Sequence, residues 1–365
     1  MRTTTDPITG IVLHYPDEVC FAFNPVMVRA ENATELRVFI MDGVTPVYTI
    51  NATALGGECY LDIQEYCQSM FDPMVFGVDY SQTKEITPQG ETLSFMVEAD
   101  VGNDTYNFTF LSFVVWGALK SCGEDFREMR TVTWFKNFPW VYSVFLQGGT
   151  NILFSYNNQP NWADSILTTG IYNFNPSTLQ DGARYWVIYE YNGVLQQATF
   201  DTTFDLTFWL DNGGSQLAIL RIDFDADADE GYYLRWIDRR GYWMHWLFKG
   251  GDEQRAVAAI REFQRNALVN YDLGWGWRRG SGRRQAMSRA DIVPLCAPLV
   301  NSQTFDILQD VTTSPIVELY CGDDGNNDPV WVDVGVQAAT YTKNRDDLQD
   351  FAMNLILPEI PIQSL

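Results

Sequence analysis

The feature that most constrains this chain is an aromatic-rich stretch at residues 231–248, GYYLRWIDRRGYWMHWLF. Two runs rich in Tyr, Trp and Leu flank a polar turn that contains Asp238 and Gly241, a pattern typical of a β-hairpin. Because alternate residues of a strand point to opposite faces, Tyr233, Arg235 and Ile237 share one face. Both faces carry large side chains, so we expect both to be covered by protein.

The rest of the composition favours strands. The chain has 365 residues with 12 Trp, 18 Tyr and 23 Phe, which is long for one core and unusually aromatic. Aromatic residues favour strands and are enriched at protein interfaces. We therefore predict a mainly β protein with two or three antiparallel β-sandwich or barrel domains and little helix.

Strand-like runs separated by turn signals divide the chain into three regions. We expect an N-terminal β domain at residues 1–115, a central β region at 116–205 and a C-terminal β domain at 206–365. Asn192 and Gly193, between two apolar runs, predict a hairpin turn in the central region. The C-terminal domain carries a basic insertion at residues 249–290.

The charge balance restricts the class of partner. The chain carries 24 Lys and Arg against 47 Asp and Glu, a net charge of −23. Such a chain repels phosphates, so we expect neither nucleic acid nor an anionic membrane as its main partner.

No apolar run reaches the length of a membrane span, and the N-terminus lacks the apolar core of a signal peptide. We expect folding in the cytoplasm.

Catalytic and metal-binding signatures are scarce. His14 and His245 are the only histidines, no Cys-x-x-Cys occurs, and phosphate-binding and dinucleotide-binding motifs are absent from the sequence. We predict no enzyme activity, no cofactor and no metal centre, and a packed or hydrogen-bonded His245. The acidic run at residues 223–230, DFDADADE, leaves two interpretations open, a solvated loop or a calcium site without EF-hand spacing.

The basic insertion is the exception to this acidity. Residues 249–290 contain nine Lys and Arg and four Asp and Glu, a net of +5, so the rest of the chain carries −28. Apolar spacing predicts an amphipathic helix at residues 253–268. The segment after it is either a basic loop without a partner or an arm that docks on the acidic face of a neighbouring copy. We single out as subunit-contact residues Arg278, Arg279, Arg283, Arg284, Trp236, Trp243 and Trp246.

Three parts of the chain resemble a known family. Residues 231–248, residues 130–139 and three C-terminal pieces at 313–320, 329–336 and 348–363 are similar to distal-tail and baseplate proteins of phages and prophages of Bacteroidales-type bacteria. The resemblance covers the C-terminal part and one central strand, and its motifs are not catalytic. It implies a structural component of a virion tail tip, a six-fold homo-oligomeric ring that joins the tail tube to the host-adhesion apparatus.

A second class of function stays open. The loop at residues 157–162, NNQPNW, places Trp162 beside Asn and Gln side chains, a combination that can stack on a sugar ring and hydrogen-bond to it. The alternative is therefore a carbohydrate-binding β-sandwich adhesin that recognises a host surface glycan.

Overall fold

The computed structural model of the chain describes residues 1–71, 76–81, 84–86, 89–120, 132–135, 138–146, 151–156, 159–165, 168–175, 184–191, 194–201, 206–212, 215–225, 230–262 and 284–358. These residues form a mainly β protein with several antiparallel sheets, which confirms the predicted fold class. The chain divides into two compact units. The first comprises Met1–Ala228, Trp236–Trp246 and Ser314–Ile316, and the second comprises Asp229–Arg235, Leu247–Thr313 and Val317–Leu365. The division into three domains at residues 115 and 205 stays a prediction.

The first unit begins with a β-sandwich. Its elements are β1 (Arg2–Thr5), β2 (Val12–Tyr15), β3 (Val19–Phe21), β4 (Met27–Glu31), β5 (Glu35–Asp42), β6 (Thr45–Thr53), β7 (Glu58–Asp62), α1 (Gln64–Ser69), β8 (Lys84–Ile86), β9 (Gly90–Val101) and β10 (Asp104–Val115). One sheet has the order β1-β2-β4-β7 and the other the order β3-β10-β9-β5-β6. The pairing of β3 with β10 is parallel, whereas the other described pairs of these two sheets are antiparallel.

Strand alternation explains why these two sheets pack face to face. In β5, Leu36, Val38 and Ile40 are fully buried, while Arg37 and Phe39 between them are partly exposed. Leu13 and Val28 of the other sheet are buried in the same core cluster. Burying an aliphatic side chain of this size stabilises the fold by about 1.5–3 kcal/mol. The period of two in the sequence therefore determines which face of each sheet points inward.

The central strands of the first unit form three smaller sheets. Their elements are β11 (Val132–Phe135), β12 (Tyr142–Leu146), β13 (Asn151–Tyr156), β14 (Gln159–Ser165), β15 (Gly170–Phe174), β16 (Arg184–Tyr191), β17 (Val194–Asp201), β18 (Leu206–Asn212) and β19 (Ser215–Asp225). The sheet orders are β12-β15-β8, β14-β13-β16-β17 and β11-β19-β18. Tyr191 pairs with Val194, so the hairpin predicted from Asn192 and Gly193 is confirmed, although these two residues lie outside the described ranges.

The C-terminal part of the chain forms a nearly closed barrel. Its elements are β20 (Tyr232–Ile237), β21 (Trp243–Gly250), β22 (Gln254–Glu262), β23 (Arg284–Asn301), α2 (Ser302–Gln309), a 3₁₀ turn (Asp310–Thr312), β24 (Val317–Asp323), β25 (Pro329–Asp333), β26 (Gly335–Val336) and β27 (Leu348–Ile356). The sheet order is β25-β24-β20-β21-β23-β27-β26, and β22 pairs with β23 beside this path. Val334 alone separates β25 from β26. One continuous segment therefore pairs with β24 at one end of the sheet order and with β27 at the other.

Phe351 of β27 lies at the centre of the second unit's core. Its ring contacts those of Phe248, Phe305 and Tyr341, with centroid separations of 6.3, 5.4 and 5.6 Å. Phe305 belongs to α2, whose start is capped by Asn301. The Asn301 side-chain oxygen accepts a hydrogen bond from the Thr304 amide at 2.8 Å, as expected of an N-cap.

The predicted helix at residues 253–268 is wrong over its described part. Residues 254–262 form strand β22, which pairs antiparallel with β23 from Gln254 opposite Ile292 to Glu262 opposite Arg284. Ala256, Ala259 and Ile260 satisfy helical spacing, but pairing with a distant strand overrides so weak a local preference. Residues 263–268 lie outside the described ranges.

Thiol labelling tests this arrangement of cores. Burial raises the pKa of the Cys20 thiol to about 12 and also raises the pKa values of the Cys59 and Cys67 thiols, whereas Cys321 is exposed. The thiolate is the reactive species, so iodoacetamide at pH 8 should modify Cys321 first and these three only after unfolding in urea. Mass spectrometry of the labelled peptides gives the order. Labelling of Cys67 as fast as that of Cys321 would contradict a closed sandwich.

Candidate assembly surface

A buried carboxylate shapes the turn of the central hairpin. Asp238 is 2% exposed. Its side-chain Oδ1 accepts hydrogen bonds from the backbone amides of Arg240 and Tyr242, both at 2.9 Å. Its backbone amide donates to the Tyr242 carbonyl at 2.9 Å, and its carbonyl accepts from the Gly241 amide at 2.9 Å. An ionised oxygen that accepts backbone N–H groups holds a tight turn strongly. The predicted β-hairpin, covered on both faces, is confirmed.

Two glycines let this turn lie directly on the main chain that follows β10. Gly241 has φ +81°, and a Cβ added there would lie 2.6 Å from Cγ1 of Val115. A Cβ added at Gly117 would lie 2.5 Å from the carbonyl oxygen of Arg239. The Ala118 amide donates to that same oxygen at 2.6 Å. The contact between the turn and residues 115–118 therefore leaves no space for a side chain at either glycine.

The tryptophans of the hairpin belong to the core. Trp236 is fully buried and Trp243 is 2% exposed, so neither indole can reach a neighbouring copy. The Trp243 amide donates a hydrogen bond to the Ser143 hydroxyl at 3.1 Å. Trp246 is half-buried and packs edge-on against Phe135 at 5.4 Å. The expected subunit contact at Trp236 and Trp243 is corrected to a packing role, because the hairpin is covered within its own protomer.

His245 has the structural role predicted for it. It is 4% exposed, and its Nε2 lies 3.3 Å from the Tyr80 hydroxyl. His14 lies on the sandwich, where Nε2 is 3.0 Å from a Glu31 oxygen and Nδ1 is 3.1 Å from the Thr3 hydroxyl. Both histidines thus connect neighbouring strands or loops through polar contacts.

A buried arginine organises the polar contacts of the second unit. Arg235 is 4% exposed, and its Nε donates to Oε2 of Glu318 at 2.5 Å. Its guanidinium lies over the ring of Trp331, 4.3 Å from the centroid, a cation–π arrangement. Tyr320 packs on Trp331 at 5.5 Å and donates to Asp323 at 2.8 Å, and burial raises its pKa to about 12. The sequence analysis placed Arg235 on a strand face but did not find this ion pair, since Glu318 is 83 residues away.

A two-stranded ribbon, formed by β22 and residues 284–292 of β23, exposes the first strand to solvent. Residues 251–258 are all exposed, and Val257 retains 59% of its accessible surface. Among the described strands, β22 pairs with β23 and with no other. The cross-strand neighbours are small, with Ala256 opposite Ala290 and Ala258 opposite Ser288. These small pairs share one face, whereas the other face carries Arg255 opposite Asp291 and Val257 opposite Arg289. Residues 288–292 of β23 are half-buried, so the accessible part of the ribbon is the β22 strand.

The ribbon leads toward the predicted contact arginines. Arg284 is the first residue of β23, so one of the four lies at the end of the ribbon. The other three, Arg278, Arg279 and Arg283, lie outside the described ranges. Within β23, Arg289 forms a bidentate ion pair with Asp291, with N–O distances of 2.7 and 2.8 Å.

Substituting Gly241 by Ala tests the contact at the hairpin turn. The new Cβ requires a disfavoured positive φ and meets Val115, so we expect a loss of about 3 kcal/mol in the free energy of unfolding. Gly43→Ala is the matched control, since Gly43 has φ +59° but open space around it, and should cost about 1 kcal/mol. Urea unfolding measures both. Equal losses would show that the close approach contributes nothing.

Glu318→Gln tests the buried ion pair. The variant leaves the Arg235 charge buried without its counterion, so we expect a loss of about 3 kcal/mol in stability, seen as a lower thermal midpoint. Glu58→Gln is the control because Glu58 also pairs with an arginine, at 2.8 Å, but is 34% exposed. Exposed pairs contribute little, so its midpoint should hardly move. A similar shift in the two variants would contradict a special role for burial.

Other functional signatures do not single out a second surface. Of the acidic run, Asp223 and Asp225 lie at the end of β19, and residues 226–229 lie outside the described ranges. Within those ranges, no group of three or more His, Cys, Asp or Glu side chains could hold a metal ion. In the described part of the chain no helix combines the length and apolarity needed to span a membrane. No protein-family model and no curated protein matches this chain.

Proposed function

We propose that this protein is a structural component of a phage or phage-like tail tip, a distal-tail or baseplate protein that forms a homo-oligomeric ring between the tail tube and the host-adhesion apparatus. The observation that carries the ring is the exposed ribbon of β22 and residues 284–292. The resemblance of the hairpin and of the C-terminal strands to distal-tail and baseplate proteins supports the tail-tip role.

A ribbon with one exposed strand is an unfavourable structure in a single molecule. A two-stranded hairpin is marginally stable in water because it buries little apolar surface. Its outer edges also present unpaired backbone groups that can bind another chain. On β22, the exposed run Ala256–Val257–Ala258 carries no charge, although Arg255 precedes it. A neighbouring molecule that covers the ribbon removes both costs.

Charge supplies a partner for this surface. The insertion that contains the ribbon has a net charge of +5, while the rest of the chain carries −28. Two copies therefore attract each other when the insertion of one meets the remainder of the other. Contacts between two different surfaces of identical subunits generate a ring when their rotation closes.

Light scattering at several salt concentrations tests the ring. At low salt we expect a mass near a small whole number of chains, six if the resemblance holds, which falls as salt shortens the screening length from about 10 Å at 0.1 M to about 3 Å at 1 M. A monomer at every concentration and salt would contradict the ring. Saturable binding of a glycan by that monomer would favour the carbohydrate-binding adhesin instead.

Charge reversal identifies the contact. The Glu-segment variant carries Glu at all four predicted contact arginines, Arg278, Arg279, Arg283 and Arg284. We expect it to be monomeric under conditions in which the wild type associates. The matched control replaces the same four residues by Lys, which keeps the charge, and should associate at least in part because Lys lacks only the bidentate geometry. Unchanged assembly of the Glu-segment variant would refute the basic contact.

A further inference from the structure

Three turns meet at one end of the N-terminal sandwich. Asn32, between β4 and β5, has φ +61°, and its amide donates to the Gly57 carbonyl at 3.0 Å. Its side-chain amide donates to the Gly10 carbonyl at 3.2 Å. Asn32 thereby connects the turn at residues 6–11 with the turn at residues 54–57. We name the surface formed by these two turns and residues 31–35 the loop end.

Each of the two outer turns holds a large aliphatic side chain in solvent. Ile8 is 88% exposed and Leu55 is 85% exposed. The turn of Ile8 is rigid, because the buried Asp6 carboxylate accepts hydrogen bonds from the Ile8 and Thr9 amides at 3.3 and 3.1 Å. The Leu55 amide donates to the Glu58 carbonyl at 2.9 Å, which closes the second turn. The two apolar side chains are thus held outward by ordered backbone.

The strands that lead into the loop end carry more carboxylates than cations. Arg29 pairs with Glu31 and Glu58 at 2.9 and 2.8 Å. A second arginine forms ion pairs with three carboxylates, namely Arg37 with Glu35, Glu98 and Asp100. Two guanidinium groups against five carboxylates leave a net charge of −3. The loop end therefore combines exposed aliphatic side chains with surplus negative charge.

A segment that matches this surface exists in the chain itself. Residues 275–284, WGWRRGSGRR, place Trp275 and Trp277 next to four arginines and contain no acidic residue. Aromatic side chains cover aliphatic surface, and guanidinium groups pair with carboxylates in bidentate geometry. The charges of the two surfaces are opposite, and their apolar parts are complementary.

We propose that the loop end is the surface on which residues 275–284 of a second copy dock. The inference rests on the proposed ring and names the partner surface of its basic contact. Because the two surfaces differ, the contact is heterologous and runs head to tail. The charged groups supply orientation, and Ile8 and Leu55 supply the apolar contact at its centre.

Lysines at the loop end test this placement. The Lys-end variant carries Ile8→Lys and Leu55→Lys, which repel an arginine-rich segment and cannot disturb the core because both side chains are exposed. We expect its dissociation constant for self-association to rise by a factor on the order of ten or more. The control carries Val44→Lys and Val47→Lys, 93% and 46% exposed at the opposite end of β5 and β6, and should associate as the wild type does.

Mixing the two variants gives the decisive result. The Glu-segment variant and the Lys-end variant should each be monomeric, whereas an equimolar mixture should associate, because the Glu segment of one meets the Lys end of the other. Native mass spectrometry should then show particles that contain both variants in alternation. Failure of the mixture to associate would overturn the docking surface.

The remaining outcomes separate this inference from the proposed function. If the Glu-segment variant dissociates but the Lys-end variant assembles like the wild type, the ring and its basic contact stand and the loop end is not the docking surface. If the wild type never associates, both the ring and the docking surface are refuted. Near-ultraviolet circular dichroism of each variant confirms that its core is folded.

Discussion

The first unit depends on a main-chain contact that tolerates no side chain. The hairpin turn at residues 238–242 lies so close to residues 115–118 that only glycine fits at positions 117 and 241. The buried Asp238 carboxylate keeps the turn in the shape that this contact requires. Next to it, Tyr242 joins Val115 and Ile171 in a small core of its own. A local turn geometry thus positions strands that are far apart in the sequence.

The second unit depends instead on the closure of its sheet. A sheet with two free outer strands offers unpaired backbone groups to other chains. Residues 329–336 remove much of this exposure because they pair first with β24 and then, after Val334, with β27. The buried Arg235, paired with Glu318 and covered by Trp331, lies at the side where that segment begins. Aromatic packing around Phe351 fills the interior, so closure and core formation depend on each other.

The ribbon differs from these two elements because one of its strands is exposed to solvent. Among the described strands β22 pairs only with β23, residues 251–258 are exposed, and the ribbon leads into the most basic part of an acidic chain. A two-stranded ribbon with an exposed Val257 gains little stability from burial within one molecule. The partner we propose for it is a neighbouring copy with surplus carboxylates.

Local pattern and tertiary structure decided different properties of this protein. Alternation in β5 and the polar turn at Asp238 determined strands, inward faces and the central hairpin from the sequence alone, because these depend on neighbours a few residues away. The helix expected at residues 253–268 was wrong where described, since a pairing partner some 30 residues along the chain outweighs helical spacing in an alanine-rich run. The sequence likewise identified the arginines and tryptophans that stand out by charge and size. Only the tertiary structure showed that Trp236 and Trp243 are buried and that Ile8, Leu55 and residues 251–258 lie in solvent, since burial depends on long-range contacts.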